Sequence, residues 1–333
     1  NGSPTSDTTS SGDKSNLSSY LNDSLAIRVI RYFLEHVEDE PTREALDYAL
    51  ELSEKHIQTI THIFTHEKAH LPLGFTDKDV NLKAPRLYTD RFFLLYIHNL
   101  AKIGMNTYSM ALSQSARSDV REFFSECLAS QAELFNRTAE ELQHKGIFIR
   151  PPLIPMPEKV DIVHKKSFLG GWFGDRRPLT AVEVMGVFAN MQRNILGKSL
   201  LLGFSQVTQN EIVRNYMKRG VHIASKHVET FGSILSQDHL PSPAISDDQV
   251  TKSTISPFSD KLMMFHTTAL ITSSIGYYGI AIGTSPRRDL ALHYTRLTGE
   301  IGKYSIDGEK ILIDHGWMEQ PPTTPDRRAL SKV

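Results

Sequence analysis

Apolar residues recur every three to four positions along most of the chain, the spacing of one face of an α-helix. No stretch shows the two-residue alternation of a half-buried strand over strand length. The chain is therefore predicted to be all-α. The predicted helices cover 17–38, 41–68, 90–113, 116–145, 180–207, 210–237, 259–283 and 286–315.

Capping residues mark the ends of several of these helices. Thr89 and Ser259 each precede an Asp and are predicted to cap the helices that follow. Ser285, which stands before a proline, is predicted to do the same for the last helix. Gly146 and Gly316 follow long helices and are each followed by a Pro-Pro pair, so they predict helix ends.

The helices belong to two copies of one unit. An offset of 170 residues aligns 80–146 with 250–316 without a gap. Further upstream, an offset of 171 residues aligns 23–39 with 194–210. A tandem repeat of this kind determines the architecture, because each copy must form the same supersecondary unit. Two four-helix bundles in series are predicted, each with a long crossover between its second and third helices.

The repeat divides the chain into two bundles, a strap between them and two tails. Both tails are rich in small and polar residues, so the first is expected to be disordered and the second similar. The predicted divisions are a tail at 1–16, a first bundle at 17–152, a strap at 153–178, a second bundle at 179–322 and a tail at 323–333.

Five prolines and three glycines lie between residues 151 and 178, which excludes a helix over most of the strap. The strap also contains Phe168, Trp172 and Phe173, which are more apolar than a free linker requires. It is therefore expected to pack on the bundles.

Composition narrows the classes of partner. Lys and Arg total 37 against 38 Asp and Glu, a formal net charge of −1, which favours neither nucleic acid nor an anionic membrane. Cys127 is the only cysteine, so no internal disulfide can form and a reducing, cytoplasmic location is expected. Residues 262–282 contain no Asp, Glu, Lys or Arg, but the aligned segment 92–112 contains Lys102. A buried helix is therefore predicted there, and no membrane span.

The stretch HEKAH, residues 66–70, matches the helical zinc motif H-E-x-x-H of metallopeptidases. The predicted helix ends directly after it, and the second copy has neither histidine, so no peptidase activity is expected. His62, His66 and His70 are spaced to share one helical face and are candidates for adventitious binding of a metal ion.

His56 and His227 are aligned in the two copies and are candidate ligand-binding residues. A di-metal centre would need two glutamates and two Glu-x-x-His motifs facing inward, and neither copy contains the set. Glu35, Glu133 and Glu300 have no acidic counterpart in the other copy, which weakens a metal site. Two interpretations remain open: a core histidine satisfied by hydrogen bonds, or a metal or ligand site in each bundle.

Four segments resemble a family of endospore-forming bacteria known as domain of unknown function 3231: residues 74–94, 115–128, 167–179 and 256–266. The resemblance covers about residues 17–322. It implies a ferritin-like fold with one bundle per repeat, and some members are described as spore coat proteins. It supplies no catalytic residues.

The function expected from these observations is that of a non-catalytic structural or interaction protein, associated with sporulation and the spore coat. Its expected partners are proteins or further copies of itself. No cofactor is expected. The alternative is a ferritin-like protein that binds a metal ion or a small ligand through its interior histidines.

Overall fold

Long helices account for most of the structure, a computed structural model that describes residues 11–171, 176–244 and 247–331. No strand occurs in these ranges, and only three short 3₁₀ turns and one four-residue helix, α9 at Arg327–Leu330, accompany the long helices. The first repeat contains α1 Ser11–His36, α2 Glu40–His66, α3 Asp90–Gln114 and α4 Ser118–His144. The second contains α5 Ala181–Val207, α6 Glu211–Gln237, α7 Asp260–Thr284 and α8 Arg288–Asp314.

The predicted capping residues are confirmed at α3 and α7. The Thr89 and Ser259 hydroxyls accept hydrogen bonds from backbone N–H groups in the first turns of these helices. Gly146 and Gly316 each have a φ of 67°, the left-handed conformation that ends a helix and favours glycine. Ser285 does not cap α8, because α8 begins at Arg288 and Ser285 instead ends α7.

The residue before α8, Arg287, contacts a neighbouring helix. The backbone N–H of Arg287 donates to the Glu183 carboxylate on α5 at 3.0 Å. The Arg287 guanidinium in turn binds Asp289 within the first turn of α8. Arg287 is extended and precedes α8 as the equivalent Arg117 precedes α4, so both helices begin two positions later than the sequence predicted.

The expectation of disorder in the first tail is corrected at residues 11–16, whereas residues 1–10 lie outside the described residues. Residues 11–16 were predicted to be disordered, but they form the first turns of α1, and Asn16 is fully buried there. In the second tail, the Asp326 carboxylate caps the short helix α9, whose residues are all exposed.

The expectation that the strap packs on the bundles is wrong for its first part. Residues 153–167 are exposed, whereas Arg176 and Arg177 at the end of the strap bind Gln237 on α6 and Glu183 on α5. Pro155 and Pro157 disfavour a helix at the start of this part. Trp172 and Phe173 lie outside the described residues.

Within each repeat, the four helices pack side by side. In the first repeat, α1 packs along α2 and α3 along α4, and α2 also contacts α3 and α4. In the second repeat, α5 packs along α6 and α7 along α8, with further contacts between α5 and α7 and between α6 and α8. One cluster of buried apolar side chains runs through both repeats, so they share a hydrophobic core.

The two repeats are joined by reciprocal contacts between their long connections, residues 67–89 and 238–259. Antiparallel bridges pair Val80 with Phe258 and Tyr88 with Val250. The offset of 170 makes Val80 equivalent to Val250 and Tyr88 equivalent to Phe258. Each bridge is therefore the counterpart of the other with the roles of the repeats exchanged, as in an isologous dimer interface.

Side chains repeat this exchange. Ser259 donates to Asp79 at 2.8 Å, and the equivalent Thr89 donates to Gln249 at 2.6 Å. The Tyr96 hydroxyl lies 2.9 Å from Nε2 of His266, and these two residues are themselves equivalent. A pair of equivalent residues in contact must lie at the pseudo-two-fold axis, so this contact marks the centre of the interface.

Residues 262–282, which contain no charged side chain of Asp, Glu, Lys or Arg, lie in α7. Among the described residues, no helix combines the length and the apolar character needed to cross a bilayer.

Candidate functional site

The predicted histidine of the first repeat is buried among side chains from three helices. His56 on α2 donates through Nδ1 to the Asp23 carboxylate on α1, at 3.2 Å. The Tyr108 hydroxyl on α3 donates to the other Asp23 oxygen at 3.4 Å and lies 3.3 Å from the same ring nitrogen. The three side chains thus form a small polar cluster in the apolar interior.

The fourth helix adds a thiol to this cluster. Cys127 on α4 is buried, and burial, reinforced by the negative charge of Asp23, raises the pKa of its thiol. Burial also raises the pKa of Tyr108. Both groups are therefore protonated at neutral pH, and the thiol is not a reactive thiolate.

The equivalent cluster of the second repeat is built around His227, which is fully buried on α6. Asn194 on α5 donates to the Tyr278 hydroxyl at 2.8 Å, so that hydroxyl donates to Nδ1 of His227, also at 2.8 Å. Nε2 of His227 then carries the hydrogen and donates to Glu300 on α8 at 3.0 Å. Each of the four helices contributes one residue.

The charges of the second cluster follow from these contacts. Burial lowers the pKa of His227, although the Glu300 carboxylate opposes the shift. Burial alone would raise the pKa of Glu300, but hydrogen bonds from Lys226 and His227 leave it below its ordinary value. The cluster therefore holds a neutral imidazole against an ionised carboxylate.

Both clusters engage the histidine ring in hydrogen bonds that join helices. His227 uses both ring nitrogens, and His56 uses Nδ1. Among the described residues, no three His, Cys, Asp or Glu side chains are arranged to hold a metal ion. The use of His56 or His227 as a ligand-binding residue stays a prediction.

The HEKAH stretch does not form the predicted three-histidine face. The helix ends at His66, and Lys68 adopts a left-handed conformation with a φ of 55° that turns the chain away. His62 and His66 therefore share an exposed helical surface, whereas His70 lies beyond the helix. Glu67, the residue that would act as base in a peptidase, forms an ion pair with Arg117.

A further site, not predicted from the sequence, is a cavity of about 110 Å³ between α3 and α5, where the two repeats meet. Three basic residues line it, Arg91 and Lys102 of the first repeat and Arg193 of the second. Lys102 and Arg193 have no basic counterpart in the other copy, where Thr272 and Asn22 take their places. That loss of correspondence is the signal by which the sequence could have indicated the site.

The electrostatics of this cavity are unusual for a protein interior. Burial, together with the nearby charge of Arg193, lowers the pKa of Lys102 to about 8. Burial also lowers the pKa of Arg193. His98, which lines the same cavity, has its pKa lowered to about 3 by burial and by Lys102, so its ring is neutral. The site therefore combines three basic side chains, Arg91, Lys102 and Arg193, with the neutral imidazole of His98.

Similarity to known proteins identifies a family. A crystal structure of a putative spore coat protein from Bacillus halodurans C-125 is similar at 19% identity, with a TM-score of 0.40, over 45% of this chain and 98% of the other. No curated protein matches the chain. The model of a protein of unknown function, DUF3231, matches twice, over residues 15–160 and 167–330. Because the two matches fall on the two repeats and cover most of the sequence, the chain belongs to the DUF3231 family.

Proposed function

We propose that this protein is a non-catalytic structural and interaction protein built from two ferritin-like four-helix bundles. In this proposal the bundles are up-down bundles with a crossover, and the reciprocal contacts join the two repeats. A cytoplasmic protein associated with sporulation and the spore coat is the context that the family resemblance suggests.

The observation that carries the proposal is the exposed apolar surface of the strap. Leu153 is 97% exposed, and Met156 and Val160 are each 88% exposed. Ile162 and Val163 continue the same surface. A row of large exposed apolar side chains is typical of a surface that contacts another protein.

The strap is also held in place on the helices at both ends. Before it, Gln192 of α5 donates to the backbone carbonyl of Ile149. Near its end, Arg177 of the strap donates to both carboxylate oxygens of Glu183 on α5 at 2.8 Å, and it also donates to the carbonyl of Phe168. A segment anchored in this way loses less conformational entropy when a partner binds, which favours binding by an extended chain.

The test compares a strap variant with a matched surface variant. Leu153, Met156 and Val160 are replaced by Ser in one protein, and three exposed isoleucines distant in sequence, Ile212, Ile280 and Ile313, are replaced by Ser in the other. Self-association is measured by sedimentation, and spore association by fluorescence of a fusion protein in sporulating cells. Loss of either property in the strap variant alone supports the proposal. A wild-type fusion that is absent from developing spores, in a protein that also stays monomeric, contradicts it.

The second candidate function is binding of a metal ion or small ligand at the interior histidines. The observation that favours it is that four helices contribute side chains to the cluster around His227, and that Asp23, His56 and Cys127 lie near one another in the first repeat. The test is metal analysis of protein purified without a histidine tag. Stoichiometric iron, manganese or zinc that is lost in His56→Ala or His227→Ala would replace the structural proposal with this one.

A further inference from the structure

Two of the basic side chains in the cavity between the repeats, Lys102 and Arg193, have no neutralising acid among the described residues. The guanidinium of Arg193 lies 3.4 Å from the centre of the Tyr277 ring and donates to Asn190. The ammonium of Lys102 lies 6.0 Å from the centre of the Phe135 ring. No carboxylate of the described chain forms an ion pair with either group. Two neighbouring, partly desolvated cations destabilise the folded protein unless an anion joins them.

One hydrogen-bonding atom of this pair is also without a partner. Nε of Arg193 is buried and forms no hydrogen bond to any described residue. A buried donor without an acceptor is uncommon in native proteins and indicates that another group completes the site. Nitrogen donors of guanidinium and ammonium groups are those that bind a carboxylate best.

The rest of the cavity wall is largely apolar. Phe92 and Leu95 of α3, Leu196 of α5 and Phe148, which follows α4, all line it. Asn99 adds a neutral amide beside the charged end. A ligand suited to these walls has one anionic end and a hydrocarbon body, because a fully polar ion would make no apolar contacts with the walls.

We propose that the cavity binds a small organic carboxylate with an apolar body, whose carboxylate lies between Lys102 and Arg193. Its size sets the length of the body. A benzene molecule occupies an engineered protein cavity of about 150 Å³, so a body of about five or six carbons matches this one. The inference goes beyond the proposed structural function and does not depend on it.

The pseudo-symmetric counterpart of the cavity supports this assignment. There, the carboxylate of Glu319 accepts a hydrogen bond from the backbone N–H of Gly74 at 3.1 Å, and Lys261 donates to the carbonyl of the same glycine at 3.2 Å. The equivalents of Glu319 and Lys261 are Ile149 and Arg91, both of which line the cavity. The chain thus has a carboxylate, that of Glu319, at this position in the counterpart site and an apolar residue, Ile149, at the equivalent position in the cavity.

Three probes of equal length separate charge from hydrophobicity: hexanoate, hexanol and hexylamine. Binding to the wild-type chain is measured by isothermal titration calorimetry at low ionic strength. We expect hexanoate to bind one site per chain with a Kd below about 1 mM, which is well within the affinity that a ligand of this size can reach. Hexanol is expected to bind more weakly and hexylamine not at all, since the cations repel it.

Variants locate the binding site. Lys102→Met is expected to weaken hexanoate binding at least about tenfold, because a hydrogen bond to a charged group is lost. Arg193→Gln is expected to have a similar effect. Lys303→Met removes the same charge from an exposed position on α8 and is the control, with binding unchanged. The Lys102→Met protein should also unfold at the same or a higher temperature, whereas loss of a purely structural group would lower it.

A cavity-filling variant tests the site without removing a charge. Ala189→Phe places a ring in the space that the ligand body would occupy, and it should abolish hexanoate binding while the helical circular dichroism is retained. The proposal is overturned if wild-type protein shows no saturable hexanoate binding, if hexanol binds as tightly as hexanoate, or if Lys102→Met binds hexanoate as the wild type does.

Discussion

In the first repeat the carboxylate beside the buried histidine comes from α1, whereas in the second repeat it comes from α8. The histidine and the tyrosine occupy equivalent positions in both copies, but Asn194 stands where the first repeat has Asp23. Glu300 supplies the missing acid from the opposite side of the imidazole ring. The comparison indicates that the fold requires one acceptor beside the ring and accepts it from either of two helices.

The two carboxylates differ in burial. The Asp23 side chain is 7% exposed, whereas that of Glu300 is 28% exposed and is also paired with Lys226. A deeply buried carboxylate stabilises the fold only while its hydrogen-bond partners are in place, and a partly exposed one retains hydration when they are lost. The first repeat should therefore be the more sensitive of the two to changes in its cluster.

Asp23→Ala should have the largest effect. It leaves the His56 ring and the Tyr108 hydroxyl buried without their acceptor, so we expect a loss of about 3 kcal/mol in the free energy of unfolding. Asp23→Asn copies the residue of the second repeat and should lose only about 1 kcal/mol, because the amide oxygen still accepts. Urea denaturation followed by circular dichroism measures both. Equal losses in the two variants would show that the charge, and not the acceptor, matters.

The interface between the repeats offers a second comparison, of Gly203 with its equivalent Tyr32. Tyr88 packs against Gly203 and donates to the Leu200 carbonyl at 2.7 Å, so a methyl group at Gly203 would collide with the Tyr88 ring. Gly203→Ala should destabilise the protein by about 2 kcal/mol, the cost of overpacking a core contact. Gly197→Ala on the same helix meets open space and should be stabilising or neutral. Thermal denaturation of both variants tests this, and similar losses in the two would contradict it.

Glu300→Gln sharpens the comparison of the two acids through its pH dependence. We expect a loss of about 1.5 kcal/mol at pH 7, as an ionised acceptor becomes neutral. The folded pKa of Glu300 is below its ordinary value, so its contribution is present above the unfolded pKa of about 4.3 and is lost as the pH falls through the folded pKa. Unfolding measured from pH 7 to pH 3 should show the two proteins converging at the acidic end. A difference that stays constant with pH would exclude a role for the charge.

Lys102→Met compares the cation of the first repeat with Thr272, its equivalent. The folded pKa of Lys102 is about 8, below that of the unfolded chain, so its charge destabilises the fold fully below pH 8 and less as the pH rises toward about 10.4. The variant should therefore be more stable by about 1 kcal/mol at pH 7, since the Phe135 contact and partial exposure offset part of the burial penalty. Its advantage should shrink between pH 8 and pH 10. Thermal denaturation of both proteins across this range is the measurement, and a gain that increases with pH would contradict the assignment.

Part of the candidate site could be predicted from the sequence. The alignment of the copies pointed to His56 and His227, and the same offsets pair Tyr108 with Tyr278 and Asp23 with Asn194. In the alignment of the copies, Glu300 faces a serine, and this mismatch argued against a metal site. In the structure, however, Glu300 is the acid that binds His227. A repeat comparison detects groups that both copies retain. It cannot detect a group that one copy supplies from a different helix.

The sequence by itself determined the all-helical class and the tandem architecture. It could do so because both depend on features that are local or one-dimensional, namely the helix periods, the capping residues and the repeat offset. Only the tertiary structure decided the reciprocal pairing of the two connections, the exposure of the strap and the approach of Lys102 to Arg193. These last two residues are 91 positions apart and belong to different repeats. Their proximity depends on how the repeats pack, and no periodicity within either helix records that packing.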